Sequence, residues 1–152
     1  MSPEPGDAEE DDRGRAMRRA AALWAEDACA RGLGMVIVEV GPGRAVLELT
    51  IEPWMVDGHG RAHAGLVFTL AATALGFAAN SGAAEHHVDH AQISLLRAVP
   101  VGARLRAEAS PRHRRRAAGL FDVTVSDAAG EVVAELRGHS RAGSDDVDET
   151  PA

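Results

Sequence analysis

The stretch Asp57–Gly82, DGHGRAHAGLVFTLAATALGFAANSG, constrains what this chain can fold into more than any other. It opens as a polar, glycine-rich loop with two histidines, and at His63 it becomes an apolar run too long for an ordinary strand. Leu66, Leu70, Thr73, Phe77 and Ala78 recur at helical spacing, and Ala and Gly fill nearly every position between them. A helix so small-sided lets other backbone approach closely and is expected to be surrounded by protein. Ending at Asn80 and Ser81, it is short and only moderately hydropathic for a membrane span, which needs about 20 apolar residues. A central helix inside a curved sheet is the expected arrangement. The polar loop that enters its N-terminus presents free backbone N–H groups, a natural place to bind and polarise an oxygen.

The flanks carry the other half of that arrangement. Residues 15–31 read as an amphipathic helix, with Met17, Ala21, Trp24 and Ala28 on one face, ended by Gly32 and Gly34. Met35–Val40 and Arg44–Ile51 read as strands around the turn Gly41-Pro42-Gly43. After the central helix, strand patterns cover His90–Ala98, Ala103–Ser110, Gly119–Ser126 and Glu131–His139. Antiparallel strands joined by short turns around one long helix make an α+β fold.

The formal charge of −7 belongs to the ends of the chain. Residues 1–12 carry six acids and residues 144–152 four, and neither segment holds a base. That leaves 13 acids against 16 arginines between Arg13 and Gly143, a body of about +3. Residues 1–14 and 144–152 are expected to be acidic, disordered tails on a single domain spanning 15–143. The single Cys29 rules out an internal disulfide and a cysteine-built zinc site. The acidic N-terminus has no signal-peptide pattern, so a cytoplasmic location is expected.

Read together, the central helix and the following strands resemble the PaaI-type (phenylacetate-degradation) hotdog-fold acyl-CoA thioesterases. That family's pattern runs NGHxxxHGGxxFxLADxAFxxAxNS, then FLRPxxxGDxLxAxA, then a strand with RGxS. The matching segments here are DGH at Asp57–His59, HAG at His63–Gly65, Phe68, Leu70-Ala71, Thr73-Ala74, Ala79-Asn80-Ser81, Leu95-Leu96-Arg97, Gly102, Leu105, Ala107 and Arg137-Gly138-His139-Ser140. The resemblance covers roughly residues 16–143. It implies a hotdog fold, one curved antiparallel sheet wrapped around the long helix. It also implies a homodimer, commonly paired again into a tetramer, with acyl-CoA bound between subunits, no separate cofactor and no metal. By the same resemblance, the N–H of Ala64 polarises the thioester carbonyl, His63 orients the loop, and Gly65, Thr73, Asn80 and Arg97 line the substrate site.

The departures fall on the chemistry. Ala72 stands where the family has its catalytic acid, Ala64 replaces the second residue of HGG, and Asp57 replaces the asparagine of NGH. A methyl group neither accepts a proton nor attacks a carbonyl. Ala72 is compatible with a substitution introduced to trap a ligand, with a natural change in which Asp57 is the relocated base, or with a non-catalytic acyl-CoA-binding relative.

Other residue patterns have plainer readings beside the functional ones. Asp57-Gly58 is a common turn pair. His86, His87 and His90 form an HHxxH cluster, but no zinc-motif glutamate accompanies them, so no metal is expected. The run Arg112-His113-Arg114-Arg115-Arg116 reads as a solvated hairpin or, by the resemblance, as a source of contacts to coenzyme A phosphates, with Arg112, Arg114 and Arg116 the named candidates. Nucleic acid is not expected, because the run lacks interleaved aromatics for stacking.

Overall fold

A computed structural model describes residues 5–143. Helix α1 spans Pro5–Glu26 and so begins inside the stretch expected to be a disordered tail. Pro5 suits the first turn of a helix, and farther along Asp11 and Asp12 pair with Arg15 at i+4 and i+3 (3.3 and 3.2 Å). Residues 1–4 and the expected tail over 144–152 lie outside the described residues. The single helix expected over 15–31 is broken at Asp27, which caps a second helix, α2 (Ala28–Leu33), by accepting from the Ala30 N–H at 2.9 Å. Gly34, at φ +80°, closes α2 in the left-handed conformation.

The strands are β1 (Val36–Gly41), β2 (Arg44–Thr50), β3 (His86–Leu95), β4 (Arg104–Arg114), β5 (Ala118–Ser126) and β6 (Val132–Ala142). They form one six-stranded antiparallel sheet in the order β1-β2-β4-β5-β6-β3, so β1 and β3 are its edges. Helix α3 (Ala64–Ala79) lies against its inner face. Alternation along the strands aims Leu47, Leu49, Leu105, Ala107, Phe121, Val123, Val125 and Leu136 at that helix, and all are almost wholly buried. From α3 come Val67, Leu70, Ala71, Ala74, Leu75, Phe77 and Ala78. Burying each leucine contributes roughly 1.5–3 kcal/mol.

Gly138, in the RGxS segment, has a steric reason to be glycine. A Cβ there would come within 2.4 Å of Leu75 Cδ1 and 3.2 Å of the His90 carbonyl oxygen, so helix and strand approach closer than any side chain permits.

The central helix is not surrounded on all sides within one chain. Gly65, Phe68, Thr69, Ala72, Thr73 and Gly76 mark a face turned away from the sheet, where Phe68 is 38% exposed. Alongside it, β3 is paired on one edge only.

Candidate active site

The site residues expected from the sequence fall toward the two ends of α3 and on its open face. At the N-terminal end the preceding loop is held by its own backbone. Val56 bridges to Ala62 and Arg61 to Pro100, while the N–H groups of Ala62 and His63 donate to Val99 (2.7 Å) and Met55 (2.9 Å). His63 is the N-cap, and its Nδ1 accepts from the Gly65 N–H at 3.0 Å. The His63 carbonyl takes the N–H groups of Leu66 and Val67. That accounting leaves one donor over. Among the described residues the Ala64 N–H has no acceptor, and it sits at the positive end of the helix dipole.

Ala64 opens into a cleft of about 290 Å³ lined also by Asp57, Arg61, Val67, Leu96 and Arg97. Asp57 is exposed and serves as the turn residue of its loop, with Oδ1 accepting from the N–H groups of His59 (2.8 Å) and Arg61 (3.2 Å). Those two N–H donors, His59 first, hold its carboxyl below the ordinary aspartate value. Arg97 forms an ion pair with Glu131 in the β5–β6 turn. Asp57, Ala64 and Arg97 thus share one cleft, flanked by His63 and Gly65.

Ala72 and Thr73 lie elsewhere, on the open face of α3. Eight residues at about 1.5 Å each separate Ala72 from Ala64 by ~12 Å along the helix axis. A side chain at position 72 therefore does not reach the Ala64 N–H of its own chain. The Thr73 hydroxyl donates to the Thr69 carbonyl at 2.6 Å.

At the C-terminal end the expected ligand groups turn out to hold structure. Both amide hydrogens of Asn80 are taken, by the carbonyls of Gly76 and His86 (2.8 Å each), and its Oδ1 accepts from the His86 N–H at 2.8 Å. Ser81 Oγ, buried, donates to the Ala78 carbonyl (2.8 Å) and accepts from the Gly43 N–H (2.7 Å) and from Arg114 (3.2 Å). Arg19 of α1 reaches across to the carbonyls of Asn80 (2.8 Å), Ala83 (3.4 Å) and Ala84 (3.3 Å), a cation against the negative end of α3. Sequence reasoning did not identify Arg19, because nothing in an arginine on the polar face of a helix pattern marks a partner more than sixty residues away.

Beside this knot is a cavity of about 500 Å³ walled by Gly82, His86, Arg114, Arg115 and Arg116. Arg112 is not part of it. The ladder of β4 with β5 slips between Pro111 and His113, so Arg112 and Arg114 leave on opposite faces. Arg112 pairs with Asp122 at 3.4 Å on the outer face, where Asp122 also takes Arg137 at 2.8 Å. The histidines of β3 separate as well. His86 Nδ1 lies 3.1 Å from Ser140 Oγ, whereas the His90 ring packs against that of His139 at a tilt of 47°, with centroids 5.3 Å apart.

No protein-family model matches the chain. Among curated proteins it is 34% identical, over 126 residues, to the acyl-coenzyme A thioesterase PaaI of Escherichia coli (strain K12), covering 83% of this chain and 90% of that one. The chain belongs to the PaaI thioesterase family.

Among solved structures it is similar to the E. coli PaaI protein from the phenylacetic acid degradation operon, with a TM-score of 0.85 at 32% identity, covering 87% of this chain and 96% of that one. A mutant of the phenylacetic acid degradation protein PaaI from Thermus thermophilus matches at a TM-score of 0.71 and 28% identity, over 75% of this chain and 97% of that one. The hotdog fold is thus that of the PaaI proteins. Among the described residues no helix is long and apolar enough to cross a membrane.

Proposed function

We propose that this PaaI-family chain hydrolyses small or aromatic acyl-CoA thioesters, of the phenylacetyl type, to the acid and coenzyme A. The observation that carries this reading is the unpaired Ala64 N–H at the start of α3, opening into a partly apolar cleft that also holds a carboxylate. Hydrolysis requires a donor for the oxyanion that develops on the thioester carbonyl and a group that holds the attacking water. Ala64 N–H is the first. Asp57, whose Oδ2 is free of the turn, is the second, an ionised and therefore weak base. Water adds to the carbonyl carbon, its proton passes to the carboxylate, and collapse expels the coenzyme A thiolate, which takes up the proton.

The assembly we propose is a homodimer, itself paired into a tetramer. The uncovered α3 face and the one-sided edge β3 support it, together with Phe68, Leu95 and Leu96, which are 38%, 49% and 57% exposed beside them. Position 72 belongs to this picture. A side chain too far from the cleft of its own chain faces outward, toward a second copy, and the methyl of Ala72 offers that copy no acid. Arg114 and Arg116 are the arginines we assign to the coenzyme A phosphates, and the ion pair of Arg112 with Asp122 removes it from that set. Location in the cytoplasm fits a substrate built on coenzyme A.

Steady-state release of coenzyme A from phenylacetyl-, benzoyl- and acetyl-CoA tests the activity, with Ala72→Asp beside the chain itself. Turnover by the chain, raised in the Asp variant, is expected. Absence of turnover in both, with acyl-CoA still bound, would refute the enzyme reading in favour of a binding protein.

A further inference from the structure

The cavity at the C-terminal end of α3 is walled by cations with no carboxylate among them. Arg114, Arg115 and Arg116 come from the end of β4 and the turn after it. On the outer face of the sheet the arginines of β4 and β6 have acids: Arg104 and Arg106 share Glu48, Arg112 and Arg137 share Asp122, and Arg141 takes Asp89. Here, among the described residues, Arg114 bonds only to the Ser81 hydroxyl at 3.2 Å, Arg115 only to His113 at 3.1 Å, and the Arg116 side chain to nothing. Gly82 makes room for Arg114, since a Cβ there would come within 2.9 Å of the guanidinium. A guanidinium held in place with donors to spare suits a phosphate or sulfate group.

One further wall residue is ionisable, His86 at the start of β3. Asn80 clamps its backbone, accepting from its N–H and donating to its carbonyl, both at 2.8 Å. The ring is clamped as well, with Nε2 3.2 Å from the Arg116 carbonyl and Nδ1 3.1 Å from the Ser140 hydroxyl. A carbonyl only accepts, so Nε2 carries the hydrogen and Nδ1 accepts from Ser140. If that hydroxyl turns about its C–O bond, both partners accept from a doubly protonated ring. Charge can therefore enter without moving the imidazole. Burial holds His86 below the ordinary histidine value, the Arg116 carbonyl pulls the other way, and the charges of Arg114, His87 and Arg19 add to the effect of burial. Glu85, the neighbouring acid, makes no bond to the ring among the described residues.

We propose that His86 is the fourth cation of this site, neutral in the free protein and protonated when a phosphate dianion enters beside Arg114 and Arg116. The inference rests on the reading of the cavity as a phosphate site, and adds to it a residue that responds to the charge of the ligand. Guanidiniums around a histidine favour its neutral form, and a dianion among them offsets their field. The proton comes from solvent and rests on Nδ1. The Nε2 bond to the Arg116 carbonyl then becomes charge-assisted and secures the turn that carries Arg115 and Arg116. By linkage, a ligand whose entry brings in a proton binds more tightly as pH falls. A dianion gains more from this than a monoanion does.

Inorganic sulfate is the probe, because it stays dianionic throughout the range in which histidine titrates. Calorimetry on the full chain is expected to give an affinity about threefold to tenfold higher near pH 5.5 than near pH 8. In His86→Gln, which keeps a donor for the Arg116 carbonyl but does not titrate, that ratio is expected to fall to about one. Binding is expected to be lost in Arg114→Ala, and its persistence there would place the sulfate elsewhere and overturn the inference. In the unmodified chain the NMR titration midpoint of the His86 ring is expected to rise on adding sulfate. A midpoint unmoved by saturating sulfate, or a pH ratio that persists in His86→Gln, overturns the proton coupling and leaves the phosphate site standing. No sulfate binding at either pH refutes the phosphate reading and the inference with it. Neither readout needs turnover, so failure of the thioesterase reading is distinguishable.

Discussion

At residue 63 the backbone of this chain sits at φ −61° and ψ 128°, and at residue 64 it enters a helix with an N–H that no acceptor among the described residues claims. The histidine side chain satisfies the next donor, Gly65, and thereby leaves the one at Ala64 for a ligand. Much of this was legible from the sequence, because the apolar periodicity beginning at Leu66 locates the helix start and a helix start implies free donors. The turn role of Asp57 was legible too, from Asp-Gly. Its consequence for catalysis was not, since it depends on two N–H bonds seen only in the folded loop. Those bonds depress the Asp57 carboxyl below its ordinary value of 3.8, so it is ionised throughout the neutral range. The rate of thioester hydrolysis is therefore expected to stay flat from pH 8 down to about 5, with no acid limb in between. A pH–rate profile checks this, and an inflection between 6 and 7 would show that a different group is the base.

Among the elements, α3 is fixed more firmly at its C-terminal end than its sequence suggests. Asn80 is the C-cap of α3, and the Ser81 hydroxyl beside it donates to the Ala78 carbonyl and ties the β1–β2 turn and Arg114 to the helix. Contacts such as Gly43 to Ser81 and Arg19 to Asn80 span 38 and 61 residues, and no local pattern encodes them. Ser81→Ala strands the buried Gly43 N–H and is expected to cost about 1–3 kcal/mol in urea denaturation. Gly138→Ala meets the Leu75 side chain and the His90 carbonyl, and overpacking there is expected to cost about 1–3 kcal/mol by the same measurement. The strand pattern was readable from alternation, whereas the slip in β4 was not. Polar residues on both sides of it give no sign of which arginine turns inward. The break between α1 and α2 also escaped periodicity, although Asp27 is a recognisable cap once the break is known.

For the whole molecule, the ordered motifs from Asp57 to Ser140 point to the family, and the fold agrees with them. Assembly follows from what one chain leaves open, the outward face of α3 and the free edge of β3. Light scattering after gel filtration is expected to give a mass at least twice 15.9 kDa, and Phe68→Glu to shift it toward the single chain. A monomer at micromolar concentration would contradict the shared site. The central claim, that the Ala64 N–H stabilises the oxyanion, is tested most directly by Ala64→Pro. Proline is tolerated at the first helical position, the extended ψ of His63 suits a following proline, and no hydrogen bond among the described residues is lost. Only the donor disappears. Turnover of phenylacetyl-CoA by this variant is expected to fall about 10²–10³-fold in kcat with little change in Tm, whereas undiminished kcat would show that the oxyanion is held by another group.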